Sequence, residues 1–222
     1  VMDKTGTLTK GQFAVTKIMA VNESEQRVLA YGAFAERLST HPISKSIMAA
    51  YQQKNGDMTI MSSNEAVEEK AGFGVIARKD GGKIAVGNEK LMAHVLGADA
   101  WAACKEKYLA GEKALSEGTI CHVAYNDAYW GFLLIEDQLK EDAADCVIGL
   151  KKAGMRLVML TGDQKGVADK VAGQLGITEY YAELLPGDKV DHVEKLLAEK
   201  SEKGKLMFVG DGINDAPVLA RA

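Results

Sequence analysis

Residues 1–9 read VMDKTGTLT, and this stretch decides the fold class that the rest of the sequence supports. Two apolar residues lead into Asp3 and a turn of small residues follows, so we expect Asp3 to stand at the end of a strand. A carboxylate placed there can approach a phosphorus atom while backbone N–H groups of the turn bind the phosphate oxygens. Because carboxylates act as nucleophiles in phosphoryl transfer, Asp3 is the candidate acceptor of a phosphoryl group.

Two later stretches also place an apolar strand directly before a glycine turn. Residues 156–160 (RLVML) precede Thr161-Gly162-Asp163, and residues 205–209 (KLMFV) precede Gly210-Asp211-Gly212. Helical spacing of apolar residues marks the segments around and between them, which are 141–153, 166–175 and 189–203.

Strands that alternate with helices predict an α/β domain with a Rossmann-like parallel sheet and helices on both faces. Ligands of such sheets bind beyond the carboxyl ends of the strands. Asp3, Thr161 and Asp211 each follow a predicted strand. We therefore expect three distant segments to converge on one site.

The middle of the chain has a different pattern. We expect a helical region at 24–50, broken at Pro42, and strand-like sequence over 64–88. Within the latter, 75–78 and 83–86 form a hairpin about Asp80-Gly81-Gly82. A helix begins at about Glu89, and a second hairpin follows, in which 120–125 and 129–135 flank Asn126-Asp127. This arrangement predicts an α+β insertion, an antiparallel sheet flanked by helices. We place the insertion at 21–130, the α/β domain at 1–20 and 131–222, and the linkers near 17–22 and 131–138.

Composition and charge exclude several classes of protein. The chain has 222 residues, 47% of them hydrophobic, and a formal net charge of −4, which argues against a nucleic-acid partner. Its three cysteines are an odd number without a CxxC pair, so they predict reduced thiols rather than a zinc site or a disulfide framework. No apolar run approaches the roughly 20 residues that span a bilayer, and no signal peptide is present. The sequence alone therefore predicts a soluble chain.

The heptapeptide DKTGTLT at residues 3–9 is the phosphorylation signature of P-type ATPases, in the haloacid dehalogenase superfamily, which the chain resembles throughout its length. The resemblance implies that the α/β domain is a phosphorylation domain and that the insertion binds ATP. Soluble phosphatases of the superfamily usually carry an acid–base aspartate two residues after the nucleophile, where this chain has Thr5. The resemblance therefore implies an aspartyl phosphate that persists long enough to drive a conformational cycle.

The stretch GDGINDAP at 210–217 carries two carboxylates, Asp211 and Asp215, just after a predicted strand. Mg²⁺ prefers hard oxygen ligands and usually takes one or two carboxylates together with phosphate oxygens. By similarity to the family, Asp211 binds Mg²⁺ together with Asp3 and the backbone carbonyl of Thr5. Asn214 and Asp215 complete the surroundings of the phosphate and the metal.

Two further segments belong to the phosphate site by the same resemblance. Thr161 can donate its hydroxyl to a phosphate oxygen, with Gly162 beside it, although TGD alone is a weak motif. The segment LPGDK at 185–189 resembles the lysine segment of the family. Lys189 would offset the charge of the transferred phosphoryl group. The phosphate-binding set is thus Thr5, Gly162 and Asn214, with Asp3, Lys189 and Thr161 as catalytic residues.

The insertion resembles the nucleotide domain of heavy-metal-transporting P-type ATPases. Ser39-Thr40-His41-Pro42-Ile43 is similar to their histidine–proline motif, and an imidazole can stack on or hydrogen-bond to adenine. Glycines permit a close approach of backbone to nucleotide. The residues that the resemblance implies for ATP are Glu36, His41, Gly72, Gly74, Gly87 and Asn88.

The resemblance also implies partners that lie outside the chain: a transported heavy-metal cation, and the actuator and transmembrane parts of a parent protein, with this loop at the cytoplasmic face of the membrane. The zinc, cadmium and lead branch fits better than the copper branch, which stays an alternative. A soluble phosphatase of the superfamily is a second alternative. A nucleotide-sensing module without chemistry is a third, because only two residues precede Asp3 and the chain stops soon after Asp211, so we expect an incomplete parallel sheet.

Overall fold

The computed structural model describes residues 1–55, 66–79, 81–211 and 215–220. Its strands are β1 (Met2–Asp3), β2 (Thr9–Ala20), β3 (Val67–Lys70), β4 (Gly74–Lys79), β5 (Gly82–Gly87), β6 (Thr119–Tyr125), β7 (Ala128–Leu139), β8 (Val158–Leu160) and β9 (Glu179–Tyr181). Its helices are α1 (Glu25–Glu36), α2 (Pro42–Asn55), α3 (Glu89–Leu96), α4 (Ala98–Cys104), α5 (Ala143–Lys152), α6 (Lys165–Leu175), α7 (Pro186–Glu199) and α8 (Ala216–Leu219). The chain divides into one unit of Val1–Gln12 with Asp137–Ala222 and a second of Phe13–Glu136.

The first unit contains the predicted parallel sheet, in the order β1-β8-β9. Residues alternate across it: Met159 packs with α5 and α6 on one face, whereas Val158 and Leu160 pack with α7 and α8 on the other. Both faces are therefore covered, as a parallel sheet requires. The α/β class predicted from the sequence is confirmed.

The predicted strand at 205–209 is wrong as a strand. Val209 forms a single parallel bridge with Met2, in which Asp3 N donates to Val209 O and Val209 N donates to Val1 O, each at 2.9 Å. Phe208 is nonetheless buried. The apolar pattern thus predicts the burial of Phe208, whereas Met207 of the same run is exposed.

The second unit is an antiparallel sheet of six strands in the order β2-β7-β6-β5-β4-β3. Helices α1 and α2 cover one face and α3 and α4 the other, each over its own cluster of buried side chains. Both predicted hairpins are confirmed, with Lys79 opposite Gly82 and Tyr125 opposite Ala128. The predicted α+β insertion is thus present.

The predicted linker at 131–138 contains the change of unit between Glu136 and Asp137, whereas the change between Gln12 and Phe13 comes before the predicted linker at 17–22. Both changes fall within regular strands, β2 and β7. Residues 13–20 and 131–136, which the sequence assigns to the α/β domain, belong to the antiparallel sheet because they lie in these strands. Among the described residues, no helix is long and apolar enough to cross a membrane.

A buried imidazole lies under α4. His122 is 2% exposed, its Nδ1 lies 2.9 Å from the hydroxyl of Tyr129, and the ring of Trp101 packs against it with its centroid 5.0 Å away. Burial lowers the pKa of His122 from 6.5 to about 4. The folded state therefore keeps this group neutral where the unfolded chain already binds a proton.

We expect acid to destabilise the protein through His122. Its contribution to stability is complete above the unfolded pKa of 6.5 and is lost as pH falls toward the folded value of about 4, because protons bind the unfolded chain preferentially in that window. The loss should approach about 3 kcal/mol. The free energy of unfolding of the second unit, measured with urea at several pH values in this range, should change less with pH in His122→Gln than in the wild type. The exposed His94→Gln is the control, and an unchanged pH dependence in His122→Gln would contradict the assignment.

Candidate functional site

A buried group of one lysine and two aspartates, referred to below as the ion pair, lies at the carboxyl end of β1. The ammonium of Lys189, on α7, donates to Asp3 Oδ1 at 2.5 Å and to Asp215 Oδ1 at 2.9 Å. Asp3 is 5% exposed, Lys189 8% and Asp215 0%. One cation thus holds together two carboxylates that would otherwise repel each other.

The electrostatics of this group follow from its burial. Desolvation raises the pKa of Asp3, and the hydrogen bond from Lys189 opposes that rise. Burial acts to lower the pKa of Lys189, but its hydrogen bonds to Asp3 and Asp215 raise it overall. Lys189 therefore stays charged and favours the ionised form of Asp3, which is the nucleophilic form.

A cleft of about 270 Å³ opens beside the ion pair. It is lined by Asp3, Thr5, Thr161, Gly162, Asp163, Leu184, Pro186 and Lys189. Three chain segments that are distant in sequence thus meet at the carboxyl ends of β1 and β8, where the sequence predicted a site.

The hydroxyl of Thr161 is already engaged. It donates to the carboxylate of Asp163 and accepts from the backbone N–H of Asp163 at 3.1 Å. Thr161 was predicted to donate to phosphate. To do so it would exchange its bond with Asp163 for one with a phosphate oxygen.

A second buried cation, Lys4, was not singled out in the sequence. Its ammonium lies 3.1 Å from the carboxylate of Asp163 and 3.6 Å from that of Asp137. The hydroxyl of Thr9 lies 2.5 Å from Asp137 Oδ2 and 3.1 Å from the carbonyl of Lys4, and it can donate to either. The position of Lys4 in the DKTGTLT turn, next to Asp3, is the signal that could have identified it. Its burial then requires partners of opposite charge, because a lysine is almost never fully buried unless it is paired.

Asp211 lies against the turn that follows Asp3. Gly6 has φ 76°, and a Cβ built on it would lie 3.0 Å from Asp211 Oδ2. Asp215 is packed on Gly210, and its Oδ2 is buried without a hydrogen-bond partner in the described structure. The carboxylate of Asp211 therefore lies beside the turn of residues 4–8, while Asn214 lies outside the described residues.

These oxygens fit a magnesium ion. Within the described ranges no three His, Cys, Asp or Glu side chains are grouped to hold a metal. The chain can nevertheless offer two carboxylates, Asp3 and Asp211, together with the carbonyl of Thr5. Mg²⁺ is commonly bound by one or two carboxylates together with phosphate oxygens and water.

In the second unit the predicted glycines form one interlocked corner. Gly74 pairs with Gly87 across β4 and β5, where a Cβ on either glycine would lie 2.2 Å from backbone oxygen. Asn88 donates from Nδ2 to Gly72 O at 2.8 Å and from its backbone to Phe73 O at 2.9 Å. Only glycine fits at Gly74 and Gly87, and this contact fixes the shape of the neighbouring turn at residues 71–73, which are exposed.

The histidine–proline segment forms the turn between α1 and α2. His41 is exposed, and its Nδ1 accepts from Ile43 N at 3.2 Å. The neutral ring therefore carries its proton on Nε2. Glu36 lies buried below this turn, where burial raises its pKa and Ser44 donates to it at 2.6 Å. The charge of Glu69 on β3 also raises that pKa, so Glu36 lies near the strand that leads to Gly72.

One known protein family matches the chain over its whole length. The description haloacid dehalogenase-like hydrolase matches residues 1–222. The chain belongs to this family.

Relatives of this haloacid dehalogenase-like hydrolase are metal transporters by name. It is 47% identical over 100% of its length to the cadmium, zinc and cobalt-transporting ATPase of Bacillus subtilis (strain 168), and covers 30% of that protein. It is 44% identical over 100% of its length to the zinc-transporting ATPase of Synechocystis sp., and covers 29% of it. The chain thus spans less than a third of these relatives.

A solved structure has the same fold. The crystal structure of a zinc-transporting PIB-type ATPase in the E2.Pi state matches with a TM-score of 0.83 and 34% identity, over 100% of this hydrolase and 34% of the other chain. The resemblance to heavy-metal-transporting P-type ATPases that the sequence indicated is confirmed.

Proposed function

We propose that this chain is the ATP-binding and phosphate-accepting part of a heavy-metal-exporting P-type ATPase, and that Asp3 forms the aspartyl phosphate. The observation that carries this proposal is the ion pair of Lys189 with Asp3 and Asp215 beside the cleft. Such a group keeps a buried carboxylate ionised and next to a cation, which phosphoryl transfer requires.

In the proposed reaction a carboxylate oxygen of Asp3 attacks the γ-phosphorus of ATP. The bond from that phosphorus to the oxygen bridging the β- and γ-phosphates breaks, and ADP leaves with the electron pair. Lys189 offsets charge on the oxygens of the transferred group. Mg²⁺, held by Asp3, Asp211 and the carbonyl of Thr5, would supply further charge neutralisation when bound.

Thr5 explains why the product would persist. It is exposed and lines the cleft two residues after Asp3. A threonine hydroxyl does not act as a base near neutral pH, so a water molecule in the cleft is not activated from this position. The aspartyl phosphate would then be hydrolysed by the actuator part of a parent chain, and a soluble phosphatase is disfavoured.

The proposal is tested by mixing the chain with γ-labelled ATP and Mg²⁺, then quenching in acid. We expect label that is stable in acid and released by hydroxylamine, as an acyl phosphate should be. Absence of label, with ATP binding intact, would favour a nucleotide-sensing module instead.

We place ATP in the second unit, against the backbone of Gly72–Gly74 and beside His41, with Glu36, Gly87 and Asn88 supporting these two segments. The exposed N–H at Nε2 of His41 can donate to a ring nitrogen of adenine. A Cβ built on Gly72 would meet no atom of the described structure within 4 Å, so the backbone there is open to a ligand.

Replacing His41 by alanine is expected to weaken ATP binding by about tenfold, the effect of about 1.4 kcal/mol from one hydrogen bond and ring contact. Calorimetric titration with a non-hydrolysable ATP analogue measures it. The matched control is His192→Ala, which removes a histidine of the other unit. Equal affinities of His41→Ala and wild type would remove His41 from the site.

We assign the transported cation to zinc or cadmium, following the names of the relatives. The side chains that select it would lie in the transmembrane part of a parent chain, and the actuator belongs there too. Growth of a transporter-deficient strain on zinc, cadmium and copper, complemented by the full-length parent, separates the assignment from the copper alternative.

A further inference from the structure

Two loops at the cleft are held against each other by backbone hydrogen bonds. The first is residues 161–163, after β8, and the second is residues 181–185, which leads from β9 into α7. Thr161 N donates to Tyr181 O at 3.0 Å, Leu184 N to Thr161 O at 3.1 Å, and Glu183 N to Asp163 O at 2.8 Å. A Cβ on Gly162 would lie 3.2 Å from Leu184 O, so the loops are also in close contact.

This interlock joins the segments that carry two residues predicted to be catalytic. Thr161 lies on the first loop, and Lys189 follows the second within the first turns of α7. The end of the second loop is fixed to that helix, because Leu185 N donates to Asp188 Oδ2 at 2.8 Å. The relative position of Thr161 and Lys189 in the cleft is therefore set by how the two loops are held together.

Glu183 has an unusual backbone at the centre of the interlock, with φ 59°. Among the described residues, the other non-glycine residues with positive φ are Asn126 and Asp127, which form a hairpin turn. Asn and Asp tolerate this left-handed region because of their short polar side chains, whereas glutamate has no such advantage. Outliers of this kind cluster at functional sites.

The conformation has a clear consequence for hydrogen bonding. Two successive N–H groups, those of Glu183 and Leu184, donate to the same neighbouring loop. In an extended backbone successive N–H groups point to opposite sides, whereas turn and left-handed conformations direct them to one side. The interlock thus depends on the left-handed backbone at Glu183.

We infer that Glu183 is a positioning residue for phosphoryl transfer, whose left-handed backbone holds the loops of Thr161 and Lys189 in register. The inference rests on the proposed function of the cleft. It concerns the backbone of Glu183 and assigns no role to its carboxylate, which is exposed and near Lys165.

Four variants separate backbone from charge. Glu183→Gly and Glu183→Asn keep the left-handed region accessible and remove or shorten the side chain. Glu183→Gln removes the charge alone. Glu183→Val carries a β-branched side chain, which disfavours positive φ most strongly. For each, we would measure the rate of Asp3 labelling at saturating ATP, the Kd for ATP, the thermal shift caused by Mg²⁺ with beryllium fluoride, and the urea midpoint.

We expect Glu183→Val to lower the labelling rate by roughly tenfold to a hundredfold, since a displacement on the order of 1 Å can cost about a hundredfold. Its Kd for ATP should not change, because ATP binds in the other unit, and its beryllium fluoride shift should fall. The Gly, Asn and Gln variants should label like wild type. A variant that merely unfolds would show a lowered urea midpoint and lost ATP binding together.

Wild-type rates in Glu183→Val, or an equal loss in Glu183→Gln, would overturn the inference while leaving the proposed function in place. A folded wild type that neither takes label nor responds to Mg²⁺ with beryllium fluoride would overturn the proposed function, and this inference with it. If the wild type shows the thermal shift with Mg²⁺ and beryllium fluoride but takes no label, the shifts of the variants test the inference. A shift reduced only in Glu183→Val would support it, and equal shifts in all four variants would overturn it.

Discussion

Asp3→Asn is expected to take up no label from ATP, a fall of at least about a thousandfold, while its affinity for ATP stays that of the wild type. The amide has nearly the same shape but lacks the ionised oxygen that attacks phosphorus. Asp3 Oδ1 accepts a hydrogen bond from the ammonium of Lys189 at 2.5 Å, and the side chain is buried. The loss should therefore be chemical, since an amide oxygen can still accept from Lys189 and the fold has no reason to change.

The measurement is acid-quenched labelling, with ATP affinity measured separately by calorimetry. Asp145→Asn, an exposed aspartate on α5, is the matched control and should label normally. Hydroxylamine-sensitive label that persists on Asp3→Asn would show that another carboxylate is the nucleophile.

Lys189→Met is expected to lose both labelling and stability. The change leaves Asp3 and Asp215 buried with no cation between them. Breaking a buried pair in this way costs about 3–5 kcal/mol. Burial already raises the pKa of Asp3, and without Lys189 that pKa should rise further. A larger share of Asp3 would then be protonated and unreactive near neutral pH.

The sign of the pH dependence distinguishes this explanation from a packing defect. A carboxyl whose folded pKa lies above its unfolded value binds more protons in the folded state, so stability rises as pH falls through the folded pKa. Lys189→Met should therefore recover part of its lost stability in mild acid, measured by urea unfolding of the first unit.

The double variant Lys189→Met with Asp215→Asn is the matched control for the charge argument. Removing one carboxylate should restore much of the stability near neutral pH, but labelling should stay low because no cation faces the transferred phosphoryl group. A Lys189→Met protein as stable and as active as wild type would contradict the role of the ion pair.

The sequence was sufficient to predict that Asp3, Thr161 and Asp211 come close together. Asp3, Thr161 and Asp211 each follow an apolar run and a turn, and strand ends of a parallel sheet meet at one edge. Asp3 and Thr161 line one cleft, and Asp211 lies against the turn after Asp3. The roles of these residues remain predictions until they are tested by substitution.

The pairing of charges could not be read from the sequence. Asp215 and Lys189 are 26 positions apart in the sequence, and Lys4 and Asp163 are much farther apart, yet each pair is in contact. Such contacts depend on how loops cross above the sheet, which neither periodicity nor motif spacing encodes. The left-handed backbone of Glu183 is hidden for the same reason, because the residue type gives no sign of it.

Gly131 allows two strands of the antiparallel sheet to come close together. A glycine between apolar residues can mark a turn, but here it lies within β7. A Cβ at that position would lie 1.8 Å from the carbonyl oxygen of Met19. The glycine therefore permits two strand backbones to approach, which is the other common reason for glycine inside a strand.

The buried lysines of the cleft have a consequence for how ligands arrive. Charged groups in and beside it include Lys4, Lys189, Asp3, Asp137, Asp163, Asp211 and Asp215. Among these groups, formal negative charges outnumber positive ones by three. A polyphosphate approaching alone would meet a repulsive field, whereas a divalent cation would be attracted. We therefore expect the rate at which a polyphosphate is captured to depend on the concentration of free divalent cation.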